Sequence, residues 1–266
     1  MNSTEEFQAW DIHEFGPANA TRSVLLLPGG LCSTAFMDDL ITEPALADAP
    51  VRLVATTVPG FAGTPAPQDL SMENYAALLG TLAAERGCEV VVGHSLGANL
   101  ALEMVAGGHF TGPVVLLSPA FSRPDEFKQL AVADRLGRLP GIGALTWAAM
   151  LWMTPHAMAD SLPSARRETL IAELKKNDPA FCRRMTRHYF EYLDHHGSLV
   201  PRLRESGARA WVVRGDRDEV GLTDEEHDAL EASPRVTMVT IPDAGHMVMT
   251  DQPARVAELV AQVALG

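Results

Sequence analysis

The chain has 266 residues, 47% of them apolar and 21% charged, with 34 acidic against 21 basic side chains and a net charge of −13. This length and apolar content suit one large α/β domain with a substantial core and exclude a disordered chain. The acidic balance repels phosphate backbones and anionic lipid, so neither nucleic acid nor a membrane is an expected partner.

The first six residues, Met1 to Glu6, lack the basic start and apolar run of a secretory leader. Residues 10–15 alternate apolar and polar, as an edge strand does. Residues 23–27 form a compact apolar run that ends at Pro28-Gly29-Gly30, the pattern of a buried strand leaving into a loop. Residues 52–58 form a second run, closed by Pro59-Gly60. Ser71 then caps a helix through Arg86, with Tyr75, Leu78, Leu79 and Leu82 on one face, and Gly87 ends it. A short strand over 89–92 runs into Gly93, a helix follows over 99–106, and 114–117 make another strand. The last strands are predicted at 210–213 and 236–241, and a closing helix at 253–264 carries Val256, Leu259, Val260 and Val263 at helical spacing.

Short apolar runs alternating with helices predict an α/β fold with a mostly parallel sheet flanked by helices. Between residues 120 and 206 the strand rhythm stops, and Pro140, Pro155, Pro163 and Pro179 divide the segment into helices. Because both ends return to one sheet, the division expected is a core of residues 1–120 and 207–266 with a helical cap over 121–206. That cap carries 13 Lys/Arg and 10 Asp/Glu, leaving 8 basic and 24 acidic residues for the core. Its longest apolar stretch, residues 142–153, is too short to cross a bilayer. Cys32, Cys88 and Cys182 are odd in number and have no metal-ligand spacing, so they read as reduced packing residues of a cytoplasmic protein.

Gly93-His94-Ser95-Leu96-Gly97 matches G-x-S-x-G, and its position gives it weight: a strand ends at Gly93 and a helix starts just beyond Ser95. So tight a turn holds the serine in a strained conformation that points into a pocket, with the helix N-terminus behind it to meet developing negative charge. A serine hydroxyl needs a base, and the base an orienting acid. Arg214-Gly215-Asp216-Arg217-Asp218 follows one strand, and Asp243-Ala244-Gly245-His246 follows the last. Both groups lie where open α/β sheets build their sites. In chain order Ser95, an aspartate and His246 give Ser…Asp…His.

From about Ser23 onward the chain resembles the α/β-hydrolase family, serine-nucleophile branch. The resemblance implies an acid three residues after the strand-end glycine, Asp218 after Gly215, in preference to Asp216. It implies a base in the Gly245-His246 pair. It also implies an oxyanion hole built from the backbone N–H of Leu96 and that of Gly30 or Leu31 in the loop after an early strand. Many relatives carry His-Gly in that loop where this chain has Pro28-Gly29. Relatives that open epoxides or displace halide use aspartate at the elbow, so Ser95 disfavours those activities. The activity implied is hydrolysis of an ester, thioester or lactone of a small, apolar acyl substrate through an acyl-enzyme, with no cofactor and no metal. C–C bond hydrolysis or haloperoxidase-like perhydrolysis by the same triad is a second reading, and a non-catalytic small-molecule receptor a third.

Phe61, in a loop that resembles a second family loop beside the pocket, and Trp147, Met150 and Met153 in the cap are expected to wall the pocket, with Leu151 and Trp152 in the same cluster. His188, Asp194, His195 and His196 match no standard metal spacing. Arg183, Arg184 and Arg187 read as a surface face. Nothing in the sequence settles the oligomeric state.

Overall fold

The computed structural model describes residue 7 and residues 9–266, apart from the side chain of residue 160. The expectation about residues 1–6 therefore lies outside the described residues. Seven strands form one sheet: β1 (Ile12–Phe15), β2 (Arg22–Leu27), β3 (Val51–Thr56), β4 (Val90–His94), β5 (Val114–Leu117), β6 (Ala210–Gly215) and β7 (Val236–Ile241). Their order across the sheet is β1-β3-β2-β4-β5-β6-β7. β1 runs antiparallel to β3 at one edge, and every other pair is parallel.

Parallel strands need crossovers, and these lay helices on both faces. β2 shows the consequence. Leu25 and Leu27 enter one apolar cluster while Val24 and Leu26 enter the other, and all four are fully buried. Alternation with period two therefore serves two cores, each buried leucine contributing roughly 1.5–3 kcal/mol.

Two short helices, α1 (Asp38–Ile41) and α2 (Pro44–Ala47), lie between β2 and β3. α3 (Met72–Glu85) and α4 (Leu96–Ala106) flank β4. Ser71 caps α3 by accepting from Asn74 N–H at 3.3 Å, and Tyr75, Leu79 and Leu82 are buried as expected.

Between β5 and β6 the chain is helical only, with α5 (Lys128–Gly137), α6 (Ile142–Met158), α7 (Arg167–Leu174), α8 (Pro179–His196) and α9 (Val200–Ser206) joined by short 3₁₀ turns. Pro179 opens α8 behind Asp178, which accepts from the N–H groups of Ala180 and Phe181. Pro155 does not divide the segment, because α6 runs through it for three more residues. Only the bond to Leu151 C=O is forgone, in a last turn where helices fray anyway. α10 (Asp224–Glu231), α11 (Val248–Asp251) and α12 (Pro253–Leu265) complete the fold.

The insert is tied to the body at several points. Its neck closes where Leu199 N–H donates to Phe121 C=O at 2.8 Å. Arg202 makes a bidentate pair with Glu103 of α4, and Tyr192 Oη donates to the same carboxylate at 2.6 Å, so this 2%-exposed acid is fully answered. Arg166 donates to Ala35 C=O and to Asp38, at 2.6 and 2.7 Å. Cys32, Cys88 and Cys182 are buried free thiols. Among the described residues no helix is long and apolar enough to cross a membrane.

Candidate active site

Ser95 sits at the turn from β4 into α4 with φ 51° and ψ −118°. An L-residue in the left-handed region carries about 1–3 kcal/mol of strain, which surrounding contacts must over-determine. The contacts are present. Ser95 N–H donates to Leu117 C=O of β5 at 2.8 Å. A Cβ on Gly93 would lie 2.2 Å from Gly97 C=O, and one on Gly97 2.5 Å from Leu27 C=O. Both glycines are needed because strand, helix and neighbouring loop pass so close. α4 begins at Leu96, directly after the serine; the N–H groups of Leu96 and Gly97 precede its first helical bonds, while those of Ala98 and Asn99 donate to Ser95 C=O.

The loops after β6 and β7 meet because Gly215 has no side chain; a Cβ there would be 2.2 Å from Ala244 C=O. Asp216 and Arg217 N–H groups donate to Ile241 and Ala244 carbonyls across the seam. This places His246 Nδ1 3.0 Å from Asp218 Oδ1, which also accepts from Val220 N–H at 3.0 Å. The Asp218 side chain is 1% exposed and that of His246 17%. Burial pushes the Asp218 carboxyl up, but the hydrogen bond and charge of His246, with smaller help from Ser118 and Val220, hold it below the usual value. An ionised Asp218 keeps the proton on Nδ1 and leaves Nε2 as the basic nitrogen. Asp216 is exposed and accepts instead from Ala244 N–H, so the aspartate brought to His246 is Asp218.

The sequence pattern of the alpha/beta hydrolase family matches residues 24–259. The chain belongs to that family. No curated protein matches it by sequence. Among solved structures it is similar to Cfl2 of Burkholderia cenocepacia (18% identity over 95% of this chain and 91% of that one, TM-score 0.75). It is also similar to a thermophilic esterase of Thermogutta terrifontis (19%, 96% and 94%, TM-score 0.70). A third similar structure is AqDC, described as recognising and ring-cleaving the Pseudomonas quinolone signal (15%, 97% and 96%, TM-score 0.75). At these identities the likeness is one of fold.

In this alpha/beta hydrolase the loop after β2 reaches the nucleophile. A Cβ on Gly29 would fall 2.8 Å from His94 Nδ1 and 3.2 Å from Ser95 Cβ, whereas one on Gly30 would only touch Leu96 and Phe61 at 3.7 Å. Leu31 follows in the left-handed region at φ 67°. Gly30 and Leu96 therefore lie together at the nucleophile turn, with Leu31 next in the chain. Phe61 is buried and packs edge-on to Phe181 of α8, with ring centres 5.0 Å apart.

The expected cap wall separates into two sets. Trp147 is buried against Gly137 at the end of α5 and Met150 is half-buried, but Met153 is 52% exposed and Trp152 73% exposed. Met153 therefore lies on the solvent side of the helix rather than on the side that packs on the body. On a helix whose inward positions are 147, 151 and 155, a residue two steps past Leu151 is turned about 200° from it. Asp194 pairs with Arg123 at 2.5 Å, and no group of three or more His, Cys, Asp or Glu gathers as a metal site among the described residues. A groove of about 550 Å³ lies at the N-terminal ends of β2, β3 and β4, at the far end of the sheet from Ser95.

Sequence reasoning missed three neighbours of the site. His94, inside the G-x-S-x-G match, is 1% exposed, and its Nε2 donates to His246 C=O at 2.9 Å. Its position beside the nucleophile was the available signal. Ser118, at φ 51° just past β5, is buried beside Asp218; its Oγ and Asp218 Oδ2 have no other partner, and a turn of the hydroxyl joins them. Phe127, from the base of the insert, sets its ring edge against His246 with centres 4.8 Å apart. The adjacent Glu126 accepts from Tyr189 Oη at 2.6 Å, and burial holds its carboxyl above the usual range.

Burial, reinforced by the charge of His246, pushes His94 down to about 3, so it is neutral in the folded protein. A depressed histidine takes up its proton only on unfolding, so stability is lost as pH falls from about 6.5 towards 3, by at most about 1.4 kcal/mol per pH unit. Urea denaturation of wild type and His94→Gln at pH 6.5 and 4.5 is expected to show wild type losing more on acidification. Equal losses would mean that His94 already carries a proton in the folded chain.

Proposed function

We propose that this protein is a serine hydrolase that cleaves the ester, thioester or lactone of a small apolar acyl substrate, with the helical insert over residues 121–206 acting as a cap. The observation that carries the reading is Ser95 at φ 51° on the strand-to-helix turn, together with the 3.0 Å bond from His246 to a buried, ionised Asp218. Ser95 Oγ attacks the carbonyl carbon and His246 Nε2 takes its proton. The tetrahedral oxyanion is met by the N–H of Leu96 and of Gly30 or Leu31. Imidazolium gives its proton to the leaving alcohol or thiol. Water, deprotonated by the same imidazole, then releases the acid and restores Ser95. Asp218 orients the ring throughout and stabilises its charged form. Serine at the elbow supports acyl chemistry over halide displacement, and the likeness to an esterase fold is consistent with it.

A fluorophosphonate probe reacts with a serine only where base and oxyanion hole surround it. Labelling followed by peptide mapping is expected to place the adduct on Ser95, and a panel of p-nitrophenyl esters, thioesters and lactones to yield turnover. A folded protein that takes no label and turns over nothing overturns the reading in favour of a receptor.

A further inference from the structure

We propose that Asn177 is a positioning residue that sets the oxyanion loop from the insert. The proposal rests on the serine-hydrolase reading above. Asn177 lies between α7 and α8, is 7% exposed, and makes three hydrogen bonds with its side chain. Nδ2 donates to Leu31 C=O at 2.8 Å and to Leu174 C=O at 3.0 Å, while Oδ1 accepts from Ala62 N–H at 3.0 Å. Leu31 and Ala62 belong to different loops, one after β2 and one after β3. Both are non-glycine residues in the left-handed region, at φ 67° and 48°. One amide from the insert thus bridges two strained points of the body.

The turn at Leu31 explains what the bridge does. Cys32 N–H donates to Gly29 C=O at 3.2 Å, closing a four-residue turn with Gly30 and Leu31 in the middle. Gly30 is not among the positive-φ glycines, so the turn is of the type II class, with Leu31 in the place that ordinarily calls for glycine. Leucine resists that conformation. Relaxation towards the common type I turn rotates the Gly30–Leu31 peptide and carries Leu31 N–H away from its present direction. The 31–32 peptide is clamped at both ends, by Gly29 on its N–H and by Asn177 on its C=O, and only the second clamp comes from outside the loop. With Leu31 N–H taken as the donor, the bond from Asn177 to Leu31 C=O ties the position of that residue against Ser95 to the docking of the insert.

The test compares wild type, Asn177→Asp and Asn177→Ala on p-nitrophenyl butyrate, with phenylboronic acid as the probe of tetrahedral geometry. Asn177→Asp keeps an acceptor for Ala62 N–H but sets a carboxylate against Leu31 C=O. Its kcat is expected to fall about 100-fold, the scale of a lost oxyanion donor, with KM within about threefold. Affinity for the boronic acid is expected to fall in parallel. In the Asn177→Ala background, Leu31→Gly is expected to recover kcat about tenfold, because glycine holds a positive φ unaided. The rescue separates loop positioning from general destabilisation. Asn177→Asp with wild-type kcat, a loss confined to KM, or no rescue by glycine would overturn the proposal while wild type still labels at Ser95 and turns over. Wild type that neither labels nor hydrolyses removes the hydrolase reading itself.

Discussion

Replacing Ser95 by alanine is expected to lower kcat/KM on an ester substrate by at least about 10⁴, with a melting temperature close to wild type. The hydroxyl alone is removed. Gly93, Gly97 and the bond to Leu117 C=O still shape the turn, and alanine retains the Cβ and with it the strain at φ 51°. The contrasting variant is Ser95→Gly. It too is inactive, but glycine accepts the left-handed backbone freely, so it is expected to be more stable by about 1 kcal/mol. Thermal melts and p-nitrophenyl ester assays on the three proteins check both halves. Turnover by Ser95→Ala close to wild type would remove it as nucleophile.

The second large effect is expected at Asp218. Asparagine there presents either an amide oxygen or an N–H to His246 Nδ1, and the N–H choice leaves the proton on Nε2, where it blocks attack. Loss of charge also removes the stabilisation of the imidazolium, so Asp218→Asn is expected to lower kcat by about 10⁴. Asp216→Asn should stay within a few-fold of wild type, since Asp216 is exposed and is engaged by backbone N–H groups of the loop after β7 rather than by His246. The reverse ranking in steady-state assays would transfer the orienting role to Asp216.

The sheet was legible because buried parallel strands are short apolar runs stopped by Gly or Pro, as at Val24 to Leu27 before Pro28. Ser95, Asp218 and His246 were legible for a related reason: each follows the end of a strand, and strand ends on one side of a parallel sheet converge. Resolution was lost where tertiary contact overrides local pattern. Pro155 stays helical because it falls in a last turn. Met153 shares the composition of its neighbours but not their azimuth. Asn177 gave no local signal for its bridge, since the two partners in the body are 146 and 115 residues away.

The insert leaves the body at Phe121 and rejoins it at Leu199, and those two residues share a hydrogen bond. It issues from β5 and re-enters β6, which are paired neighbours in the sheet. The excursion is thus topologically a single loop pinned at its neck, and the entropy of closing such a loop grows only slowly with its length. The length of the segment between the pins is therefore free to vary without altering the register of the seven strands. A replacement segment must bring an aromatic edge for His246, an amide for the two left-handed loops, a hydroxyl for the buried Glu103 and an apolar face for the core beneath it.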